Sequence, residues 1–210
     1  MKLALEKDGI MQIVCSDLEG VFVPEIWINV AEKTGIEALR LTTRDITDYD
    51  VLMKKRLGIL EENDLKLKDI QDVIATMDPL PGAFEFLNWL RSRTQVVIVS
   101  DTFTQFASPL MEKLGWPTLL CNTLVIDDAG RVADYKLRQK DGKRKVAEAL
   151  AALEYEIIAM GDSYNDISML KTADHGILFC PPDNVVEEYP ELPVTQNYDE
   201  LREVLSEILK

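Results

Sequence analysis

The stretch from Ile10 to Val21 constrains this chain more than any other. An apolar run, Ile10 to Cys15, is too short for a helix and is bounded by Gly9 and Gly20. It reads as a buried strand. Two carboxylates, Asp17 and Glu19, follow at i and i+2, ahead of Pro24. Alternate residues of a strand point the same way, so the two acids face one site if extended geometry persists that far. Crowded carboxylates need a cation, a proton or a basic side chain to relieve them. Ligands of α/β sheets bind at strand ends. The segment alone allows two readings. In one, Asp17 attacks an electrophile and Glu19 handles the proton; in the other, a polar strand end leads into a turn.

At 210 residues, with 47% of them hydrophobic, the chain can bury a sizeable core as one domain or as a core plus an insertion. Asp and Glu outnumber Lys and Arg 37 to 23, for a net charge of −14. That argues against nucleic acid as a partner, because such binding needs basic surface. It also means that an anionic substrate requires local positive charge at the site. No apolar run approaches the ~20 residues of a membrane span, so no membrane association is expected. Met1 to Ile10 mixes charges and lacks an apolar signal core. The three cysteines, Cys15, Cys121 and Cys180, show neither metal-knuckle spacing nor a disulfide framework. They read as buried small apolar residues in a reducing cytoplasm.

Beyond the first strand, Glu25 to Thr34 has a helical stripe of Ile26, Trp27, Val30 and Ala31, closed by Gly35. Glu25 falls in its first turn, where a carboxylate suits the helix dipole. Tyr49 to Glu61 follows, with Val51, Leu52, Leu57 and Leu60 apolar and with Lys54, Lys55 and Arg56 together, and then Leu67 to Ala75. Such a basic cluster is ordinarily a solvated helix face. Residues 24–78 are therefore expected to be an all-helical cap inserted into a core of 1–23 and 79–210. A cap of this kind excludes water and selects substrate. Pro79-Leu80-Pro81-Gly82 breaks the chain before a helix carrying Phe84, Leu87 and Leu90.

Gln95 to Val99 reads as a buried parallel strand ending in Ser100-Asp101-Thr102. A helix from Phe103 to Leu114 and a hairpin around Asp127-Asp128-Ala129-Gly130 come next. The segment Asp141 to Leu153 opens a helix with Lys143 near its start. Glu156 to Met160 is a strand broken by Gly161-Asp162-Ser163-Tyr164-Asn165-Asp166. Gly176 to Cys180 is a further strand, beside His175, which reads as structural. Tyr198 to Leu209 is a closing helix. Strands alternating with helices imply an α/β fold, a Rossmann-like parallel sheet flanked by helices.

In such a sheet the strand ends share one edge, so Asp17, Glu19, Ser100, Lys143, Asp162 and Asp166 can converge. Together they offer carboxylates for a hard cation, a hydroxyl and an ammonium. Mg²⁺ commonly takes one or two carboxylates plus phosphate oxygens. Here the chain resembles the haloacid dehalogenase-like phosphotransferases. Asp17-Leu18-Glu19-Gly20-Val21 is similar to their first motif, Ser100 to the second, Lys143 to the third, and Gly161-Asp162-Ser163-Tyr164-Asn165-Asp166 to the fourth. The helical insert resembles the cap of phosphoserine phosphatases. The run Val23-Pro24-Glu25-Ile26-Trp27-Ile28 resembles the bifunctional subgroup that also transfers the phosphoryl group to homoserine.

The resemblance implies Asp17 as nucleophile through an aspartyl-phosphate and Glu19 as general acid and base. It implies Mg²⁺ held by Asp17, Asp162 and the Glu19 position, with Asn165 and Asp166 supporting. Ser100 and Lys143 would contact the phosphate oxygens of O-phosphoserine and Glu25 and Arg56 its amino-acid end, with Asp101 also among the substrate-binding residues. Glu19 replaces the family's usual Asp, and Asp101 stands where many phosphoserine phosphatases have Gly. The acceptor, water or homoserine, is left open, as is the oligomeric state, with a homodimer among the options. The rival readings are a receiver-type phospho-acceptor module and a phosphatase of the same family for another small phosphate ester.

Overall fold

The computed structural model describes residues 11–42, 45–46 and 48–209. The first ten residues, on which the signal-peptide expectation and the start of the first strand rest, lie outside that set. A sheet of seven strands runs through the molecule in the order β4-β3-β2-β1-β5-β6-β7. Its members are β1 (Gln12–Ser16), β2 (Gln95–Phe103), β3 (Thr118–Ile126), β4 (Val132–Lys136), β5 (Glu156–Gly161), β6 (His175–Phe179) and β7 (Val194–Thr195). All neighbours pair in parallel except β3 with β4, the hairpin at one edge, so the sheet is mostly parallel rather than wholly so. β1 occupies the centre, which puts its C-terminal end between the ends of β2 and β5.

The alternation of the strands divides the core in two. Val14, Ile98, Ile158 and Met160 face one layer. Ile13, Cys15, Val97, Val99, Ile157 and Ala159 face the other. The second layer is covered by α6 (Gly142–Ala151) and α7 (Ile167–Thr172). The first is covered by α4 (Ala83–Arg91), α5 (Thr104–Lys113) and α9 (Tyr198–Ile208), and it continues into a helical segment. That segment holds α1 (Ile26–Thr34), a 3₁₀ turn (Glu37–Arg40), α2 (Tyr49–Glu62) and α3 (Leu67–Ala75); α8 (Asp183–Glu188) adds Val185 to the second layer. The excursion leaves and rejoins the sheet at one place, where Leu80 N–H donates to Phe22 O at 2.9 Å.

Local chemistry sets the helix ends. Asp48 caps α2, its side chain accepting from Asp50 and Val51 N–H, and Asn197 caps α9 in the same way. Several expectations shift. α1 begins at Ile26, so Glu25 is its N-cap residue rather than part of its first turn. Val51 and Phe84 are exposed, while Met53, Arg56 and Phe86 are buried in their stead. Of the cysteines only Cys15 is buried, and Cys180 is exposed. His175 lies in β6 against Glu156, at 3.1 Å. Among the described residues no helix is long and apolar enough to cross a membrane.

Candidate active site

β1 ends at Ser16, and Asp17 extends its pairing with β5 by one step, donating N–H to Met160 O at 2.9 Å. The chain then turns. Phe22 and Val23 N–H both donate to Leu18 O, and Gly20 N–H donates to Val23 O at 2.8 Å. Glu19 thus reaches the same cavity as Asp17 through a tight turn, not through the extended strand expected from the i, i+2 spacing. The turn needs a glycine twice over: Gly20 has φ +77°, and a Cβ there would lie 2.5 Å from Asp162 Cγ.

Lys143, the second residue of α6, is buried among three acids. Its Nζ lies 2.9 Å from Asp17 Oδ2, 2.7 Å from Asp166 Oδ1 and 3.9 Å from Asp101 Oδ2. Asp166 is held on its other oxygen by Asp162 and Ser163 N–H, at 3.0 and 3.1 Å. Asp17 Oδ1 accepts from Leu18 N–H at 2.8 Å. Carboxylate oxygens of Asp17, Asp162 and Asp166 all lie within 4.8 Å of one another. Burial, followed by the charge of Asp166, pushes Asp17 well above the usual carboxylate range, and Lys143 opposes the shift. Burial and then Asp166 push Asp162 up to about 7. Burial disfavours the Lys143 ammonium, but Asp166 and Asp17 outweigh it and hold the amine above its ordinary value.

Three buried acids sharing one ammonium leave surplus negative charge, and all the donors are hard oxygens. This set fits Mg²⁺. Asp17 and Asp162 could hold it, while Asp166 is tied to Lys143 through one oxygen and to the Asp162 and Ser163 N–H groups through the other. The Glu19 carboxylate is not in this cluster. Its Oε2 accepts from Ile26 N–H, at the start of α1, at 2.8 Å. Burial, with help from Glu25, pushes the Glu19 carboxyl up to about 8.

The cavity above Asp17 encloses about 90 Å³ and is lined by Glu19, Glu25, Arg56, Ser100 and Lys143 among others. Glu25 makes no capping hydrogen bond with its side chain. Ser100 is buried, and its Oγ accepts from Thr102 N–H at 3.1 Å. The Asp101 side chain is 43% exposed, and its Oδ2 accepts from Asn165 Nδ2 at 3.2 Å.

Arg56 departs most from its sequence context, for the adjoining Lys54 and Lys55 are exposed as a solvated face would be, and Arg56 is buried. Its guanidinium carbon sits 4.6 Å from the Trp27 ring centroid, and Nη2 donates to Leu41 O at 2.8 Å. Nε has no hydrogen-bond partner among the described residues. A buried cation with a spare donor beside a small polar cavity suits an anionic ligand group. Trp27, Tyr49 and Thr102 also line the cavity. In the sequence Trp27 stands in an apolar helical stripe, and nothing there marks the other two for the site.

The central-strand aspartate, the hydroxyl at the end of β2, the lysine of α6 and the acids after β5 together form a haloacid dehalogenase-like centre. The model of the haloacid dehalogenase-like hydrolases matches residues 11–174, and the chain belongs to this family. Its relatives narrow the comparison. It is 62% identical over 192 residues to a protein from Pseudomonas aeruginosa named phosphoserine phosphatase ThrH, covering 91% of this chain and 94% of the relative. Identity is also 62% over 192 residues to a phosphoserine phosphatase from Pseudomonas syringae, covering 91% and 81%. A solved structure of a phospho-aspartyl intermediate analogue of phosphoserine phosphatase superposes with a TM-score of 0.77 at 25% identity, over 96% of this chain and 100% of that one.

Proposed function

We propose that the protein is a Mg²⁺-dependent phosphoserine phosphatase working through a phosphorylated Asp17, and that it also passes the phosphoryl group to homoserine. The observation that carries this is Arg56, a buried guanidinium that lines the cavity containing Asp17 and whose Nε has no hydrogen-bond partner among the described residues. Such an arginine offers a fork for the substrate carboxylate, and Glu25 offers an anion for its ammonium. The relatives' names and the phospho-aspartyl analogue support the same reading.

Asp17 attacks phosphorus in line, and the bond to the serine oxygen breaks. Lys143 favours the anionic form of Asp17 against the upward push of burial and Asp166, orients it, and reaches the non-bridging oxygens along with Ser100. Glu19 gives a proton to the leaving oxygen and then takes one from the acceptor, a role typically worth ~10²–10⁴-fold. Mg²⁺ bound by Asp17 and Asp162 would neutralise phosphate charge that repels the attacking carboxylate. Asp166 anchors Lys143 and the loop after β5, and Asn165 braces Asp101. The helices of 24–78 act as a cap that keeps bulk water from the phosphorylated aspartate. This reading puts the enzyme in the cytoplasm, among serine- and threonine-forming reactions. The receiver alternative falls with the family assignment.

Incubation with phosphoserine and Mg²⁺, with and without homoserine, should release phosphate and form phosphohomoserine. Asp17→Asn should lower both by more than about 10³-fold, and chelation of the metal should stop both reversibly. Undiminished turnover by Asp17→Asn would refute the nucleophile.

A further inference from the structure

Two cavities meet at Asp101. The one above Asp17 holds about 90 Å³. Beside it lies a vestibule of about 760 Å³ that opens between α2, the end of β4 and the start of α6. Tyr49, Asp101, Lys143, Ser163 and Asn165 line both, so these residues form the boundary between them. Asp101 is fixed in that wall. Its carbonyl accepts from the Tyr49 hydroxyl at 3.1 Å and from Asn122 Nδ2 at 3.0 Å. Its Oδ2 accepts from Asn165 at 3.2 Å and lies 3.9 Å from Lys143. Its Oδ1 accepts no hydrogen bond among the described residues.

The vestibule is acidic. Among the described residues its charged lining is Asp48, Asp50, Asp101 and Asp141 against Lys140 and the buried Lys143. The other acids are occupied. Asp48 caps α2, Asp50 takes Tyr135 and Lys54, and Asp141 takes Arg144 and Ser168. Asp101 alone combines a spare carboxylate oxygen with a position next to the catalytic lysine. An ammonium group is drawn to that spare oxygen. Donor and acceptor alcohols meet the same Asp17 oxygen in turn, one before and one after it is phosphorylated. The acceptor must therefore come from outside once the first alcohol has gone.

We propose that Asp101 is a specificity-determining residue for the second half of the reaction, favouring acceptor alcohols that carry an ammonium group as they pass from the vestibule to phosphorylated Asp17. This rests on the reading above that Asp17 carries the phosphoryl group. In the step concerned, the acceptor hydroxyl oxygen bonds to phosphorus while the bond from phosphorus to the Asp17 oxygen breaks. The electron pair returns to the Asp17 carboxylate, and the hydroxyl proton passes to Glu19.

The test compares homoserine with 4-hydroxybutanoate, which lacks only the ammonium group. With phosphoserine as donor, ³¹P NMR gives the ratio of phosphorylated alcohol to free phosphate. That ratio is set within one phosphoenzyme pool and is independent of how fast the pool forms. Asp101→Asn keeps the wall and removes its charge. The homoserine ratio should fall about tenfold, and the 4-hydroxybutanoate ratio should not fall. Ratios that stay within twofold of the unaltered enzyme for both alcohols, or that fall alike, overturn the proposal. So does an unaltered enzyme that phosphorylates neither alcohol. Repeating the series with p-nitrophenyl phosphate separates the two ideas: failure with phosphoserine alone sinks the donor assignment and leaves acceptor selection to be judged from the second donor.

Discussion

A methyl group at position 20 would lie 2.5 Å from the carboxyl carbon of Asp162, on backbone with φ +77°. Gly20→Ala should therefore cost about 1–3 kcal/mol of stability and displace one of the two acids suited to the cation. Denaturant unfolding and calorimetric titration with Mg²⁺ check this, and a variant unchanged in both contradicts it. Arg56→Lys keeps the charge but loses the fork and the plane stacked on Trp27. KM for phosphoserine should rise about tenfold, with kcat falling less, in steady-state kinetics. Neither residue was equally visible in advance. Gly20 stood out because it followed two acids at a strand end. Arg56 follows two lysines that are exposed, and nothing local separates it from them. Its burial comes from Trp27 and from the carbonyl of Leu41, both contributed from elsewhere in the chain.

At the level of elements, α2 is tied to the end of β2 by the Tyr49 hydroxyl, which donates to Asp101 O at 3.1 Å. Tyr49→Phe should cost about 0.5–1.5 kcal/mol, because Asn122 still satisfies that carbonyl. For a chain of this size the thermal midpoint should drop by about 2–4 °C per kcal/mol, and calorimetry reads it. The buried strands were legible because β-branched runs between turn residues have few alternatives. The phase of the helices was less so. In α4 the sequence offers Phe84 and Phe86 two residues apart, and only packing against Phe22 and Tyr198 decides that Phe86 goes inside. β7, two residues long, is too short to carry any periodicity. The convergence of Asp17 and Glu19 was anticipated, but the device was not. A turn, invisible to strand periodicity, brings the second acid round.

Over the whole molecule, a net charge of −14 surrounds a site expected to admit anions. Raising ionic strength from about 10 to 150 mM at fixed free Mg²⁺ should increase kcat/KM for phosphoserine, by about twofold, because salt screens a repulsive field. A decrease would mean that local basic groups govern the encounter. The strand order has its own consequence. Asp17 hangs from the middle strand, Ser100 from the neighbour on one side and Asp162 from the neighbour on the other. As a ribosome extrudes this polypeptide, the nucleophile emerges early, but the β5 edge that seats it is made only once Glu156 to Asp166 has left the exit tunnel. Every shorter nascent form carries a reactive-looking aspartate with no cradle, so catalytic competence cannot precede the closing of the sheet's centre.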